Sequence, residues 1–301
     1  MEDVLLRTDL AARGLVDGDL ARLRRAGDLE RVRRGAYVRP DDVERSPEEQ
    51  HRVLIAATMP QLGSGAVLSH ASGAVLRDLP VWREALGSVH VTRPRRGGGG
   101  RRTVLRRHTS PLDPYEVGEV DGWPVTALAR TVVDHARSVP FEQGVAAADR
   151  ALALGLDPVL LQAALEREAG WPGAGRARRV ADFADGRAES AGESVSRVVL
   201  ARLGLMPEDL QLAVVDGVRV VGRVDFAWPE HRTIGEFDGR LKYGRLLRKG
   251  EDIVQVVYRE KVREDLLRDL GWQVVRWTWA DLEHPDVIAD RLRRAFRRAG
   301  G

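Results

Sequence analysis

Gly222-Arg223-Val224-Asp225-Phe226-Ala227-Trp228-Pro229 and, one turn later, Thr233-Ile234-Gly235-Glu236-Phe237-Asp238 are apolar stretches that each carry acids. Their β-branched and aromatic residues predict strands, and Pro229-Glu230 predicts the turn between them. If the two pair antiparallel, Asp225, read as the end of the first strand, and Glu236 sit at one end of a sheet. Side chains two apart on a strand share a face, so Glu236 and Asp238 should point the same way.

Upstream, Val195, Val198, Val199 and Leu203 form a stripe that predicts a helix over 188–203, stopped by Gly204 and carrying Glu193. Asp216-Gly217 predicts a hairpin turn between 212–215 and 218–221. Downstream, a long helix over 251–270 closed by Gly271 leads to the apolar strand 272–279, and Asp281 opens a terminal arginine-rich helix. An apolar strand after a crossover helix implies a buried, partly parallel neighbour. The order α-β-β-β-α-β with acids at these places suits a metal-dependent nuclease core. Carboxylates hold a hard divalent cation, which acidifies a water and relieves charge on a phosphodiester.

Lysine sharpens this reading. Lys242, Lys249 and Lys261 are the only lysines, all inside one twenty-position span just after the Glu-Phe-Asp triplet, while arginine supplies the other 45 basic residues. Arginine replaces a compact ammonium poorly beside a reacting phosphate. Lys242 and Lys261 therefore join Glu193, Asp225, Glu236 and Asp238 as candidate catalytic residues.

A length of 301 residues exceeds one ordinary domain. The absence of cysteine excludes disulfides, thiolate metal sites and cysteine nucleophiles. Acids at Met1-Glu2-Asp3, and no apolar run long enough for a bilayer, lead us to expect a cytoplasmic protein without a membrane partner. The formal charge of +3 conceals local asymmetry: Arg93 to Arg107 holds seven arginines and no acid, and Arg22 to Arg39 holds seven against Asp28 and Glu30. Such patches suit a polyanion.

Residues 1–45 read as two helices and a basic hairpin, the first helix starting from Leu5-Leu6 and the second at Asp17-Gly18-Asp19-Leu20 with Gly27 as its stop. The alternating 29–38 stretch turns at Gly35. Helix, turn, helix and wing describe a winged helix, whose second helix enters the major groove while wing arginines touch phosphates. The expected DNA contacts are Arg22, Arg24, Arg25, Arg31, Arg33 and Arg34, joined by Arg93, Arg95, Arg96, Arg101 and Arg102 around the Gly97–Gly100 loop.

The run from Asp19 to Val38 resembles the N-terminal domain of AbiEi-type antitoxins of type IV toxin-antitoxin systems. The resemblance implies an autorepressing DNA-binding module and a cognate toxin as partner. It continues weakly in Leu68-Ser69-His70-Ala71-Ser72-Gly73-Ala74 and in 126–134. His70 and Asp134 read as structural, near helix caps at Ser69 and Thr126. The middle segment, 46–172, alternates strands and helices, with 67–70 opening a helix and 125–165 a helical series. Trp171-Pro172-Gly173-Ala174-Gly175-Arg176 has the composition of a linker.

The segment 176–301 resembles the PD-(D/E)XK nuclease superfamily, in the branch similar to very-short-patch-repair endonucleases, through 222–229, Glu236-Phe237-Asp238-Gly239 and 265–276. The resemblance implies Mg²⁺-dependent DNA cleavage, with Mn²⁺ as an alternative ion, and assigns metal-holding roles to Asp225, Glu236 and Glu193. One departure stands out: Asp238 occupies the place of the family's lysine. Either Lys242 or Lys261 reaches the site instead, or the site only binds.

The expected architecture is thus multi-domain α/β: an N-terminal winged helix over 1–45, an α/β middle domain over 46–172, and a restriction-endonuclease-like αβββαβ core over 176–301. Two functions follow, a DNA endonuclease guided by the winged helix, or a DNA-binding autorepressor or antitoxin with an inactive nuclease domain. Palindromic cutting would match the symmetry of a homodimer.

Overall fold

Leu5–Leu6 forms β1 rather than the start of a helix, and α1 begins only at Arg7 (Arg7–Ala12). The computed structural model describes residues 4–40, 44–94, 100–102, 104–239 and 253–299. β1 is followed by α2 (Asp17–Ala26) and the hairpin of β2 (Glu30–Arg33) and β3 (Ala36–Val38). Pairing of Leu5 with Tyr37 and Leu6 with Ala36 closes a three-stranded sheet of order β1-β3-β2, and this long-range contact overrides the local helical stripe. In α2, Asp19 accepts from the Val16 amide at 3.1 Å, while Arg24 and Arg25 lie in the last turn. Both placements complement the helix dipole. Gly27 ends the helix at φ 84°, the left-handed region that glycine enters without strain. Leu10, Leu20, Leu29 and Tyr37 form the small core beneath.

The chain continues through α3 (Pro47–Thr58), β4 (Val67–Leu68), α4 (His70–Leu76), β5 (Val89–Arg93), β6 (Gly100–Arg102), β7 (Leu105–Thr109), β8 (Val117–Val120) and β9 (Trp123–Thr126). Helices α5 (Leu128–Ser138), α6 (Phe141–Ala153), α7 (Pro158–Arg167) and α8 (Ala174–Phe183) follow. The strands make a mixed sheet of order β6-β7-β5-β4-β9-β8. Val67-Leu68 is a strand in this sheet and not a helix start, because it pairs with β5 on one side and β9 on the other. Val125 and Thr126 likewise close β9, and the N-cap of α5 is Ala127 rather than Thr126.

The expected linker at 171–176 is packed structure. Arg137 lies over the Trp171 ring at 5.1 Å and donates to the Pro172 carbonyl at 3.0 Å. A side chain at Gly173, φ 83°, would run into the Arg137 carbonyl. The break between compact units falls later, with Met1–Ala151 and Gly155–Phe183 in one and Leu152–Leu154 and Ala184–Gly301 in the other.

The second unit runs α9 (Ala191–Arg202), β10 (Asp209–Asp216), β11 (Arg219–Trp228), β12 (Thr233–Phe237), α10 (Ile253–Asp269), β13 (Gln273–Trp277), α11 (Trp279–Leu282) and α12 (Pro285–Ala299). The sheet order is β10-β11-β12-β13, antiparallel except for the β12–β13 pair, which is parallel. One core gathers Leu200, Phe226, Trp228, Trp277, Ile288 and Leu292; the other gathers Val214, Val224, Ile234, Leu267 and Trp272. Two expectations need correction. β11 runs past Asp225 to Trp228, so Asp225 is interior to its strand, and the apolar run of β13 contains half-buried Arg276 and ends at Trp277, with Trp279 starting α11. No described helix is long and apolar enough to cross a membrane.

Candidate nucleic-acid interface and acidic cleft

At the N-terminus, Arg22, Arg24 and Arg25 on α2 and Arg31 and Arg34 on the hairpin are exposed. Arg22 pairs with Asp19 at 2.8 Å, and Arg25 Nε donates to the Ala21 carbonyl at 3.3 Å. Arg33 differs from its neighbours: its Nε and Nη1 are buried without a hydrogen-bond partner, and burial lowers its pKa. Arg93 turns inward too, donating from Nη2 to the Gly63 carbonyl at 3.1 Å. Arg101 and Arg102 belong to β6, paired with β7, whereas Arg95 and Arg96 lie outside the described residues.

In the second unit the ladder aligns three positions. Leu210 faces Phe226 and Leu212 faces Val224, which sets Gln211 across from Asp225. Phe226 faces Gly235, so one step further Asp225 stands across from Glu236. Gln211 adopts φ 57°, and its Nε2 donates to Glu193 Oε2 at 2.9 Å. Glu193 also accepts from the Ser190 hydroxyl at 2.7 Å and the Glu189 amide at 2.8 Å, while Ser190, the N-cap of α9, accepts from the Glu193 amide at 3.2 Å, so this buried acid is fixed to the start of α9 as well as facing the sheet. Gly192 allows the approach, since a Cβ there would overlap the Phe237 ring.

Asp225 accepts from the Phe237 amide at 2.8 Å. Burial, then the neighbouring charge of Glu193, then that of Glu236, push its pKa up to about 7 against the Phe237 hydrogen bond and Arg263. Glu236 is held by two guanidinium groups, Arg263 at 2.7 Å and Arg276 at 2.8 Å. Both arginines also pair with Glu260, and Arg276 pairs with Glu264. Gly222 leaves room for this, because a Cβ there would lie 2.5 Å from Arg263 Nε. Asp238 lines the same cleft, and its amide donates to the Trp277 carbonyl at 2.8 Å. Lys261 is exposed on α10, and Lys242 lies outside the described residues.

Asp225, Glu236 and Asp238 therefore share a cleft, and Glu193 approaches it through Gln211. Sequence reasoning overlooked Gln211, Glu260 and Arg276; Arg263, expected on the long helix beside the acids to hold a phosphate, instead pairs with Glu236. A charged residue inside an apolar strand, as Arg276 is, signals a buried counter-charge, and that was the available clue. As arranged, this donor set does not suit Mg²⁺. Both oxygens of Glu236 face arginines, and no three acids among the described residues bring ligand oxygens within 4.8 Å of one another.

The first unit holds a buried polar cluster. Arg130 pairs with Asp134 at 3.0 Å and with Glu116 at 3.2 Å, and Arg137 pairs with Glu168. His70 Nε2 lies 3.8 Å from Asp134 Oδ1. Burial, followed by the nearby His108 and His90, holds the His70 pKa well below its usual range.

Residues 3–40 match the family model described as transcriptional regulator, AbiEi antitoxin, so the N-terminal module is similar to the transcriptional regulators of that family. Two Mycobacterium tuberculosis proteins, the uncharacterized protein MT2308 of strain CDC 1551 / Oshkosh and the uncharacterized protein Rv2248 of strain H37Rv, are each 32% identical over 182 residues, 60% of this chain. The match spans 64% of their own length, short of two thirds. The crystal structure of the RV2827C protein from Mycobacterium tuberculosis is similar over 70% of this chain and 78% of that one, with 20% identity and a TM-score of 0.40.

Proposed function

We propose that the chain is a DNA-binding transcriptional regulator of the antitoxin type. Its N-terminal module is a winged helix, with α2 as the groove-reading helix and β2–β3 as the wing. The observation that carries this reading is the set of exposed arginines on α2 and the hairpin, in the segment that matches the AbiEi regulator family. Side chains of this kind on a helix and its adjoining ribbon hold phosphates on either side of a groove. A cognate toxin is the protein partner that the family similarity suggests. We read the second unit, with its sheet order β10-β11-β12-β13, as a DNA-contacting body of PD-(D/E)XK type whose acidic cleft is neutralised by Arg263 and Arg276. The test is retardation of a fragment from upstream of the chain's own gene. Tight, salt-sensitive binding that is lost in R24A/R31A/R34A supports the reading, and unchanged binding in that variant would refute it.

A second reading, a divalent-metal endonuclease, draws on one observation: Asp225 stands across from Glu236, with a carboxyl poised near neutrality. Plasmid nicking with Mg²⁺ or Mn²⁺ that disappears in D225N and E236Q would establish it. An inert wild type with both ions would leave the regulator.

A further inference from the structure

We propose that His70, His90 and His108 form a binding site for a divalent late first-row transition metal, of the class to which Zn²⁺, Co²⁺ and Ni²⁺ belong. One ring nitrogen from each of the three lies within 4.8 Å of those of the other two, the one such grouping among the described residues. The three come from separate elements: His70 opens α4, His90 lies within β5, and His108 lies on β7, which runs parallel to β5. Their meeting is a product of the sheet order, not of local sequence.

The geometry fits a small cation. His108 Nε2 and His90 Nδ1 are 3.2 Å apart. Two nitrogens bound at about 2.0–2.1 Å to one tetrahedral ion stand about 3.3 Å apart. His70 and His108 stack with ring centroids 3.6 Å apart and planes 12° from parallel, so one of these two rings must turn for both to direct an in-plane lone pair at the same ion. Imidazole donors suit zinc, cobalt and nickel, whereas magnesium and calcium prefer oxygen.

The surroundings supply what such a site uses. Ser69 Oγ accepts from the Thr92 hydroxyl at 2.8 Å and lies 3.0 Å from His70 Nδ1. If it also takes the Nδ1 proton, the Nε2 lone pair is left for a metal, the usual role of a hydrogen-bonding neighbour of a ligating histidine. The Asp134 carboxyl, itself paired with Arg130, lies 3.8 Å from Nε2. His70 holds φ 51°, a left-handed conformation that a histidine seldom adopts, and strained backbone of this kind gathers at ligand sites. His70 and His90 are buried but His108 is only half-buried, which leaves a route from solvent. His51, by contrast, has both ring nitrogens engaged, with the Leu86 carbonyl and the Ser72 hydroxyl, and is a packing residue.

The experiment is a Co²⁺ titration of the untagged, chelator-stripped full chain, followed by visible ligand-field absorption. One equivalent should bind with intense bands and be displaced by Zn²⁺. H90A and H108A should abolish the bands, S69A should weaken binding about ten-fold as a positioning residue, and H231A and D225N should leave them unchanged. Folding of each variant is checked by circular dichroism. Independently of any variant, Zn²⁺ should shift three histidine ring signals in the nitrogen NMR spectrum of the wild type. No stoichiometric band, bands retained in folded H90A and H108A, or no histidine shift would overturn the proposal and leave the three rings as a packed stack.

Discussion

Glu236 and Arg276 face one another on neighbouring parallel strands, and the arginine Nε donates to the carboxylate at 2.8 Å. With Arg263 on the other oxygen, the carboxylate best placed to serve a cation is instead the counter-charge of two guanidinium groups. The acidic cleft of the second unit is therefore an internal ion-pair network in the form seen here.

Removing Arg276 exposes what it neutralises. R276M takes one guanidinium away from Glu236, Glu260 and Glu264 and leaves Arg263 to hold the first two. Breaking one side of a buried pair is costly, but Arg276 is about one-third exposed and solvent screens part of the loss. Urea denaturation should show a loss of about 1–2 kcal/mol, and E236Q/R276M should lose less than the sum of its single variants.

Asp225 sets a pH dependence. Its folded pKa, about 7, is raised above the ordinary carboxylate value of 3.8. Between those values the folded chain binds more protons than the unfolded one, so stability falls as pH rises from about 4 to 7 and is flat beyond. D225N cannot ionise, so it should be the more stable form at pH 8, by about 1–3 kcal/mol after allowance for screening, and nearly level with wild type at pH 4. Denaturation midpoints across this range decide it. A wild type that gains stability with pH over the same window would contradict the assignment.

The N-terminal module should bind DNA chiefly through phosphates. Each of Arg24, Arg31 and Arg34 replaced by alanine should reduce the slope of log K against log salt by about 0.9 if it holds a phosphate. A variant that instead weakens binding to one sequence alone marks a base contact. Arg33, with two nitrogens buried, should affect thermal stability more than the salt slope.

Gly192 has no room for a side chain against Phe237. G192A should push α9 away from β12 and lower stability by about 1–3 kcal/mol, in line with overpacking elsewhere. Replacing Phe237 by leucine in the same chain should restore part of the loss, as thermal melts would show.

Much of this architecture was legible in the chain. Asp216-Gly217 marked the β10–β11 turn, and Gly27, Gly204 and Gly271 marked helix ends, each at positive φ where glycine is favoured. Asp225 and Glu236 were readable as a pair because acids in apolar strands need a reason to be there. Other features were hidden because they depend on partners far along the chain. Leu5 and Leu6 look helical until Tyr37 and Ala36 are available for pairing. Trp171 looks like linker until Arg137 stacks on it.

From the sequence alone came the order of helices and strands, since periodicity, turn residues and caps act over a few neighbouring positions. Tertiary structure decided which charges meet. Arg263 and Arg276 lie 27 and 40 positions from Glu236, and His70, His90 and His108 converge only through the order of β5, β7 and the start of α4. Strand register and crossover connections set such encounters. Because electrostatic and ligand contacts act within a few ångströms, a local pattern of residues does not contain them.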